Sequence, residues 1–425
     1  MPLSRRCFLA STGAVTAALA TPLSAAQRAP LDRPSGDPAR IASDEGYWQR
    51  VAAHYQISDK VTNLEAGYWG VMAAPVAGEF ARHVERVNRE SSYYARRSYG
   101  ADLAVVRKRV ADFLRVDVEE IAFTRSATES LYSLIGGYNR LKPGDAVLYA
   151  DLDYPAMQNA MKWLAQRRGV KVIAIALPEP ATRENVIAAY TEALDKNPSV
   201  RLVLLTHVSN KTGLVTPSAA LTALARSRGA DTIVDAAHAI GQLDIAIPDI
   251  GSDFVGFNLH KWIGAPIGVA AFYIKKTRLV DVDPAMGEEG DSIDSRVHTG
   301  TTNFAAFLTI PAALDFHLAV GPAHKAARLR YLRDRWVRAV RDLPHVQVLT
   351  PEEPGMSAGI TSFRLRGRTT PADNDRVVET LLSKHGIFTR RSAGVDRGNC
   401  IRVTPALYTR PADVDRLAEA IKQLA

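Results

Sequence analysis

Thr232-Ile233-Val234-Asp235-Ala236-Ala237-His238 and Phe257-Asn258-Leu259-His260-Lys261-Trp262, whose lysine lies 26 residues beyond that aspartate, decide how this chain is read. The apolar run before Asp235 is short and rich in β-branched residues, as in a buried strand. Its carboxyl end would deliver a carboxylate to the ligand crevice of an open α/β sheet. Paired with such a carboxylate, Lys261 has a specific use. A lysine can hold pyridoxal phosphate as a Schiff base, while an aspartate at the pyridine nitrogen keeps that nitrogen protonated and the ring able to accept electrons. Taken alone, Asp235 reads equally as a helix cap at a strand end.

Upstream segments supply the context. Ile121-Ala122-Phe123-Thr124 reads as a strand, and Arg125-Ser126-Ala127-Thr128-Glu129-Ser130-Leu131 turns directly into a helical pattern. The free N–H groups of such a turn make a phosphate cradle, to which the Ser126 and Thr128 hydroxyls add donors. The Ser126 to Glu129 spacing also fits a capping box, and the two readings are compatible. Tyr154, in Asp151-Leu152-Asp153-Tyr154-Pro155, follows another apolar run and can stack on a pyridine ring or simply pack. A fourth run, Leu204-Leu205-Thr206-His207-Val208-Ser209-Asn210, ends on Asn210, a candidate donor to the cofactor's ring oxygen or to a substrate carboxylate.

As a set, Ser126-Ala127-Thr128-Glu129, Asp153-Tyr154, His207-Val208-Ser209-Asn210, Asp235-Ala236-Ala237-His238 and Asn258-Leu259-His260-Lys261 resemble the class V aminotransferase family, from about residue 60 to the C-terminus. The resemblance implies an α/β protein of the fold-type I pyridoxal phosphate architecture, with a mainly parallel seven-stranded sheet and a smaller α+β domain. It implies Lys261 as the Schiff-base lysine, Asp235 at the ring nitrogen, His238 beside the ring oxygen and Tyr154 in the stacking position. Thr128, Asn258 and His260 would bind phosphate. Thr299-Gly300-Thr301-Thr302-Asn303 resembles the segment that reaches the neighbouring subunit's phosphate, which implies a homodimer with shared active sites and places Thr301 and Thr302 there.

Arg390 and Arg402 resemble the arginines that the small domain brings to the substrate; a guanidinium suits a two-point grip on a carboxylate. Arg402 is the first candidate and Arg390 the second, against the plain alternative of surface arginines in a chain with 53 basic residues. The cysteine desulfurase branch carries a nucleophilic cysteine on the loop after the first arginine. Here that loop reads Arg391-Ser392-Ala393-Gly394-Val395-Asp396, and Cys400 lies beyond it, as a small buried residue does.

The N-terminus reads as an export signal. Ser4-Arg5-Arg6-Cys7-Phe8-Leu9, an Ala- and Thr-rich apolar stretch, and the small residues Ser24, Ala25 and Ala26 fit a twin-arginine leader over residues 1–26, with a Sec signal as the alternative. The expected location is the periplasm, without a stable membrane anchor. Cleavage would remove Cys7, leaving Cys400 without an intrachain disulfide partner. The formal charge of +8 would fall to +6, enough to favour anionic small molecules but not to indicate nucleic acid. The arginine-rich stretch from Lys325 to Arg341 has apolar residues interleaved and reads as a solvated helix face. Histidines lack metal-site spacing, so no metal is expected.

The organisation expected is a linker at 27–42, an N-terminal arm at 43–75, a large cofactor domain at 76–304 in which strands alternate with helices, and a small domain at 305–425. The loop Ser92–Tyr99 reads either as an aromatic, basic entrance for a bulky substrate or as packing.

The fold and the cofactor do not fix the reaction. With its export signal and length, the chain is similar to the periplasmic members that mature pyoverdine siderophores. That implies oxidative decarboxylation of the chromophore-linked glutamate to a succinamide. The alternatives are an aminotransferase or epimerase acting on a periplasmic amino acid or peptide, and, last, a non-catalytic binding protein of the same fold. An arginine that locked the α-carboxylate in the ring plane would favour loss of a proton over loss of carbon dioxide.

Overall fold

The alternation of short β-branched runs with helical patterns between residues 121 and 274 resolves into one seven-stranded sheet. A computed structural model describes residues 31–298 and 300–424. The expected export signal at 1–26, the first part of the expected linker and Thr299 lie outside the described residues. The strands are β1 (Ile121–Thr124), β2 (Ala146–Ala150), β3 (Lys171–Ile175), β4 (Val200–Thr206), β5 (Asp231–Asp235), β6 (Phe254–Asn258) and β7 (Ala270–Ile274), in the order β1-β7-β6-β5-β4-β2-β3. Only β7 runs antiparallel, to both β1 and β6. The remaining pairs are parallel, so the sheet is mainly parallel as expected. Strands β2, β6 and β7 are buried along their whole length, which is why they read as continuous apolar runs rather than alternating ones.

A second sheet is antiparallel and built from β8 (Val346–Val348), β9 (Thr361–Leu365), β10 (Arg390–Ser392) and β11 (Cys400–Val403), in the order β10-β11-β9-β8. Its apolar side packs under helices Pro322–Val340 and Pro411–Lys422, with Trp336 and Phe363 edge to face at its centre. The arm lies beside this sheet: Thr62–Asn63 and Ile387–Phe388 form a separate two-stranded parallel pair, and Leu64 O accepts from Thr404 N at 2.7 Å.

Three expectations are corrected. The linker is structured at its end, because Pro38–Ile41 forms a helical turn whose Ile41 carbonyl takes the Trp48 indole N–H at 2.7 Å. Residues 92–99 are no loop; they belong to helices Ala74–Arg97 and Tyr99–Leu114, and Tyr94 is buried with its hydroxyl 2.7 Å from Asp102 Oδ2. The helix Pro322–Val340 is solvated on one side only. Arg330, Arg335 and Arg338 are exposed, but Arg328 and Arg333 are buried and hydrogen-bonded, so those two cations are internal fasteners. Among the described residues no single helix is long and apolar enough to cross a membrane, and no His, Cys, Asp and Glu group is placed to hold a metal ion.

Candidate active site

The carboxyl ends of the central strands open into a cavity of about 340 Å³. The register sets Thr206 beside Asp235, and Asn258 beside Ala270, so the strand-end residues singled out in the sequence arrive at one level. Ser126, Ala127, Thr128, Tyr154, Asn210, Asp235, His238, Asn258, His260, Lys261, Arg390 and Arg402 all line this space.

Asp235 is buried at the end of β5. Its Oδ1 accepts from Ala237 N at 2.9 Å, and the carboxyl is pushed above its ordinary range, chiefly by burial, against the pull of that N–H and of Lys261. A buried carboxylate with one oxygen already used is stabilised by a cationic N–H donor, which a protonated pyridine nitrogen supplies. Asp153 does different work. Fully buried and raised to about 7, first by desolvation, it accepts from Ala150 N at 2.7 Å and Thr206 N at 2.9 Å, stapling the ends of β2 and β4 together.

Lys261 Nζ stands 3.2 Å from His238 Nε2. The Trp262 indole N–H donates to His238 Nδ1 at 3.3 Å, so the proton of the neutral imidazole belongs on Nε2, facing the lysine. That pairing requires Lys261 as a free amine. Burial lowers its pKa to about 8, opposed by Asp235 and Glu65 and aided by Arg402 and Arg390. His238 itself is held well below its usual pKa, first by burial and then by Lys261 and the two arginines. Trp262, read in the sequence only as a neighbour, is therefore the residue that orients His238.

The anion end lies at the start of α1 (Ala127–Gly137). Ser126 Oγ accepts from Glu129 N at 3.1 Å and so caps the helix, while the Glu129 carboxylate accepts from Arg125 N at 2.7 Å rather than from the cap residue's own N–H, so the expected capping box is half formed. Ala127 differs from expectation, since its N–H is taken by Asn258 Oδ1 at 2.8 Å. Asn258 thus fixes the helix terminus to the sheet and turns its amide nitrogen the other way. Thr128 N–H, in the first turn, has no carbonyl to meet within the helix and stays available to an anion. His260 Nδ1 bonds Val269 O at 2.8 Å, leaving Nε2 as its other ring nitrogen; burial first lowers its pKa to about 4. Arg125, missed in the sequence, also lines the cavity, its guanidinium paired with the Glu129 carboxylate. Together these groups fit pyridoxal phosphate: an amine, a buried acid, an oriented imidazole and an anion cradle around one space.

The small sheet supplies the other wall. Arg402 is buried, bonds Glu65 and donates from Nη1 to Asn210 O at 2.9 Å, while Asn210 Oδ1 is buried without a hydrogen-bond partner. Arg390 is more open, its side chain 43 % exposed. Gly70 N donates to His260 O at 2.8 Å, and a Cβ at Gly70 would stand 1.8 Å from Lys261 O, so the arm lies directly on the lysine's backbone. Thr301 and Thr302 do not line this cavity; Thr302 bonds Tyr99. Cys400 is fully buried away from it, its thiol pushed up to about 11 chiefly by desolvation. The loop that follows Arg391 is tied down: Lys211 Nζ donates to Asp151 O and, at 2.9 Å, to Gly394 O, and Asp396 N donates to Asp151 Oδ2 at 2.9 Å.

The family model described as aminotransferase class-V matches residues 74–417. Isopenicillin N epimerase of Streptomyces clavuligerus is 28% identical over 397 residues, covering 89% of this chain and 98% of its own. Among solved structures, the apo cysteine desulfurase of Thermococcus onnurineus NA1 superposes with a TM-score of 0.76 at 21% identity, over 88% of this chain and 97% of that one. A mutant of the lyase C-DES with glycine covalently linked to its pyridoxal phosphate gives 0.74 at 23% identity, over 86% and 97%.

Proposed function

Because the chain belongs to the class V aminotransferase family, and so is a pyridoxal phosphate-dependent enzyme, we propose that it tailors a peptide siderophore in the periplasm. In this reading it converts the chromophore-linked glutamate of a pyoverdine precursor to a succinamide. The observation that carries the catalytic part is the placement of Lys261 Nζ 3.2 Å from His238 Nε2, in a cavity that also holds Asp235 and two arginines. The siderophore and the periplasm rest on the resemblance read from the sequence motifs and on the twin-arginine reading of residues 1–26.

Bound in this cavity, the cofactor supplies an electron sink for bonds at the carbon bearing the substrate's amine. Lys261 holds it and, as a neutral amine, takes or gives a proton at that carbon. Asp235 keeps the ring nitrogen charged. His238, oriented by Trp262, would offer its Nε2 proton as a hydrogen-bond donor beside Lys261. The first turn of α1 and His260 meet the phosphate. Arg390 and Arg402 provide positive charge for the substrate's carboxylate. The overall change loses carbon dioxide and oxidises the amine-bearing carbon by four electrons, so that R–CH(NH₂)–COOH and dioxygen give R–CONH₂, carbon dioxide and water. In the same proposal the enzyme is a homodimer in which Thr301 and Thr302 serve the partner's phosphate.

The test is mass spectrometry of a glutamyl pyoverdine precursor incubated in air with the mature holoenzyme. A net loss of CH₂O supports the proposal. A keto product with pyridoxamine phosphate would make the protein an aminotransferase. Inverted configuration without mass change would make it an epimerase, the reading favoured by the near full-length match to isopenicillin N epimerase. The presence of both Lys261 and Asp235 in the cavity weighs against a non-catalytic binding protein.

A further inference from the structure

The arginine expected to grip the substrate's carboxylate already has a carboxylate. Arg402 Nη2 bonds Glu65 Oε1, and both side chains are buried, 2% and 6% exposed. Arg402 Nη1 is spent on Asn210 O at 2.9 Å. Glu65 comes from the arm, where a Cβ on Gly67 would lie 3.1 Å from Arg402 Nη2 and 3.2 Å from its Cζ, so the arm backbone also presses on the guanidinium and fixes its place. The pair is not completed by other bonds: Glu65 Oε2 and Arg402 Nε are buried without hydrogen-bond partners. An ion pair buried in this state is a poor source of stability, so its effect is sought in the charge it presents to the cavity.

Two guanidiniums and one carboxylate leave this wall with one net positive charge. Arg390 Nη1 lies 3.8 Å from Glu65 Oε1, and its side chain is the exposed member of the three. A substrate carboxylate set on Arg402 would meet Glu65, hydrogen-bonded to that guanidinium, as like charge; Arg390, which the same oxygen approaches only to 3.8 Å, is the less compensated of the two cations.

We propose that Glu65 is a specificity-determining residue that neutralises Arg402 and hands the substrate's carboxylate to Arg390. The proposal rests on the reading that the cavity takes a carboxylate-bearing amino compound. It has a consequence for the reaction. A carboxylate held by a partly exposed arginine, rather than clamped by a buried one, can turn out of the plane in which an Arg402 grip would lock it, and that freedom is what loss of carbon dioxide requires.

The test uses the holoenzyme and two probes that have no amine to react: glutarate, and its uncharged counterpart glutaramide, each titrated by isothermal calorimetry. Glu65→Gln keeps an acceptor for Arg402 but removes the charge. Expected is a gain of at least about five-fold in glutarate affinity with glutaramide unchanged. A smaller gain, or an equal gain for both probes, overturns the proposal. Arg390→Gln, at a half-exposed position, keeps the question open to test if Glu65→Gln does not fold. It should lower glutarate affinity by at least about five-fold, and a smaller loss overturns the proposal. Neither titration depends on what happens to pyoverdine, so a failed product assay and a failed charge assignment are separate results.

Discussion

Lys261 and Asp235 were legible as a pair because each is chemically odd where it stands: a charge at the end of a buried apolar strand needs a partner. What the sequence did not disclose was who orients whom. Trp262 meets His238, and Glu65 meets Arg402, across gaps of 24 and 337 residues, and no local pattern encodes such contacts. The lysine's environment makes a definite prediction about pH. Its pKa is lowered from the ordinary lysine value to about 8, and the reactive form is the neutral amine, whose population grows as pH rises through the pKa. The rate at which apoprotein captures pyridoxal phosphate, followed by visible absorbance, should therefore climb through about pH 8 and level off above it. A profile still rising steeply between pH 9 and about 10.5, the range of an unperturbed lysine, would refute the neutral-amine geometry.

In the strand-to-helix turn at 124–131 the Ser126 cap was legible, since the Ser126 to Glu129 spacing is a local signal, whereas the Glu129 carboxylate turns to Arg125 N instead of the cap's own N–H. The loss of Ala127 N–H to Asn258 was not legible, because it depends on how closely α1 settles on β6. Gly256 sets that approach: a Cβ there would lie 2.8 Å from Leu131 Cγ and 3.2 Å from Ser130 Cβ. Gly256→Val should overpack this contact at a cost of about 1–3 kcal/mol and lift the helix terminus from Asn258. We expect a lower melting temperature and a pyridoxal phosphate dissociation constant raised at least about ten-fold. Unchanged cofactor affinity in the folded variant would show that the helix seat does not shape the anion site. At the same scale, residues 92–99 were read as a loop and are helical; the packing alternative holds for Tyr94, buried by its bond to Asp102 and by Arg86, 4.3 Å from its ring centre, while Tyr93 beside it is exposed, a division that sequence spacing alone does not make.

At the scale of the molecule, the mainly parallel sheet was readable from periodicity, and the second sheet from its strand pattern, whereas the fastening of the arm was not. Arg328 looked like one more charge on a basic helix. It is instead fully buried, donating to Ala42 O at 3.0 Å and to Glu45 Oε1 at 2.5 Å, with its guanidinium over Trp48 and Tyr331. It secures the helices that lead into the segment carrying Glu65, Gly67 and Gly70. Arg328→Ala would leave the buried Ala42 carbonyl unpaired and the half-exposed Glu45 without its counterion, a loss of about 1–3 kcal/mol. Differential scanning calorimetry should show the drop, with partial recovery in Arg328→Met, which restores volume but not charge; a wild-type melting temperature in Arg328→Ala would mean that the arm is held by other contacts. The most direct check on the whole account is covalent. Borohydride reduction of the purified yellow holoenzyme, followed by peptide mapping, should place the phosphopyridoxyl group on Lys261 and nowhere else. Its appearance on another lysine, or its undiminished presence after Lys261→Ala, would contradict the site described here.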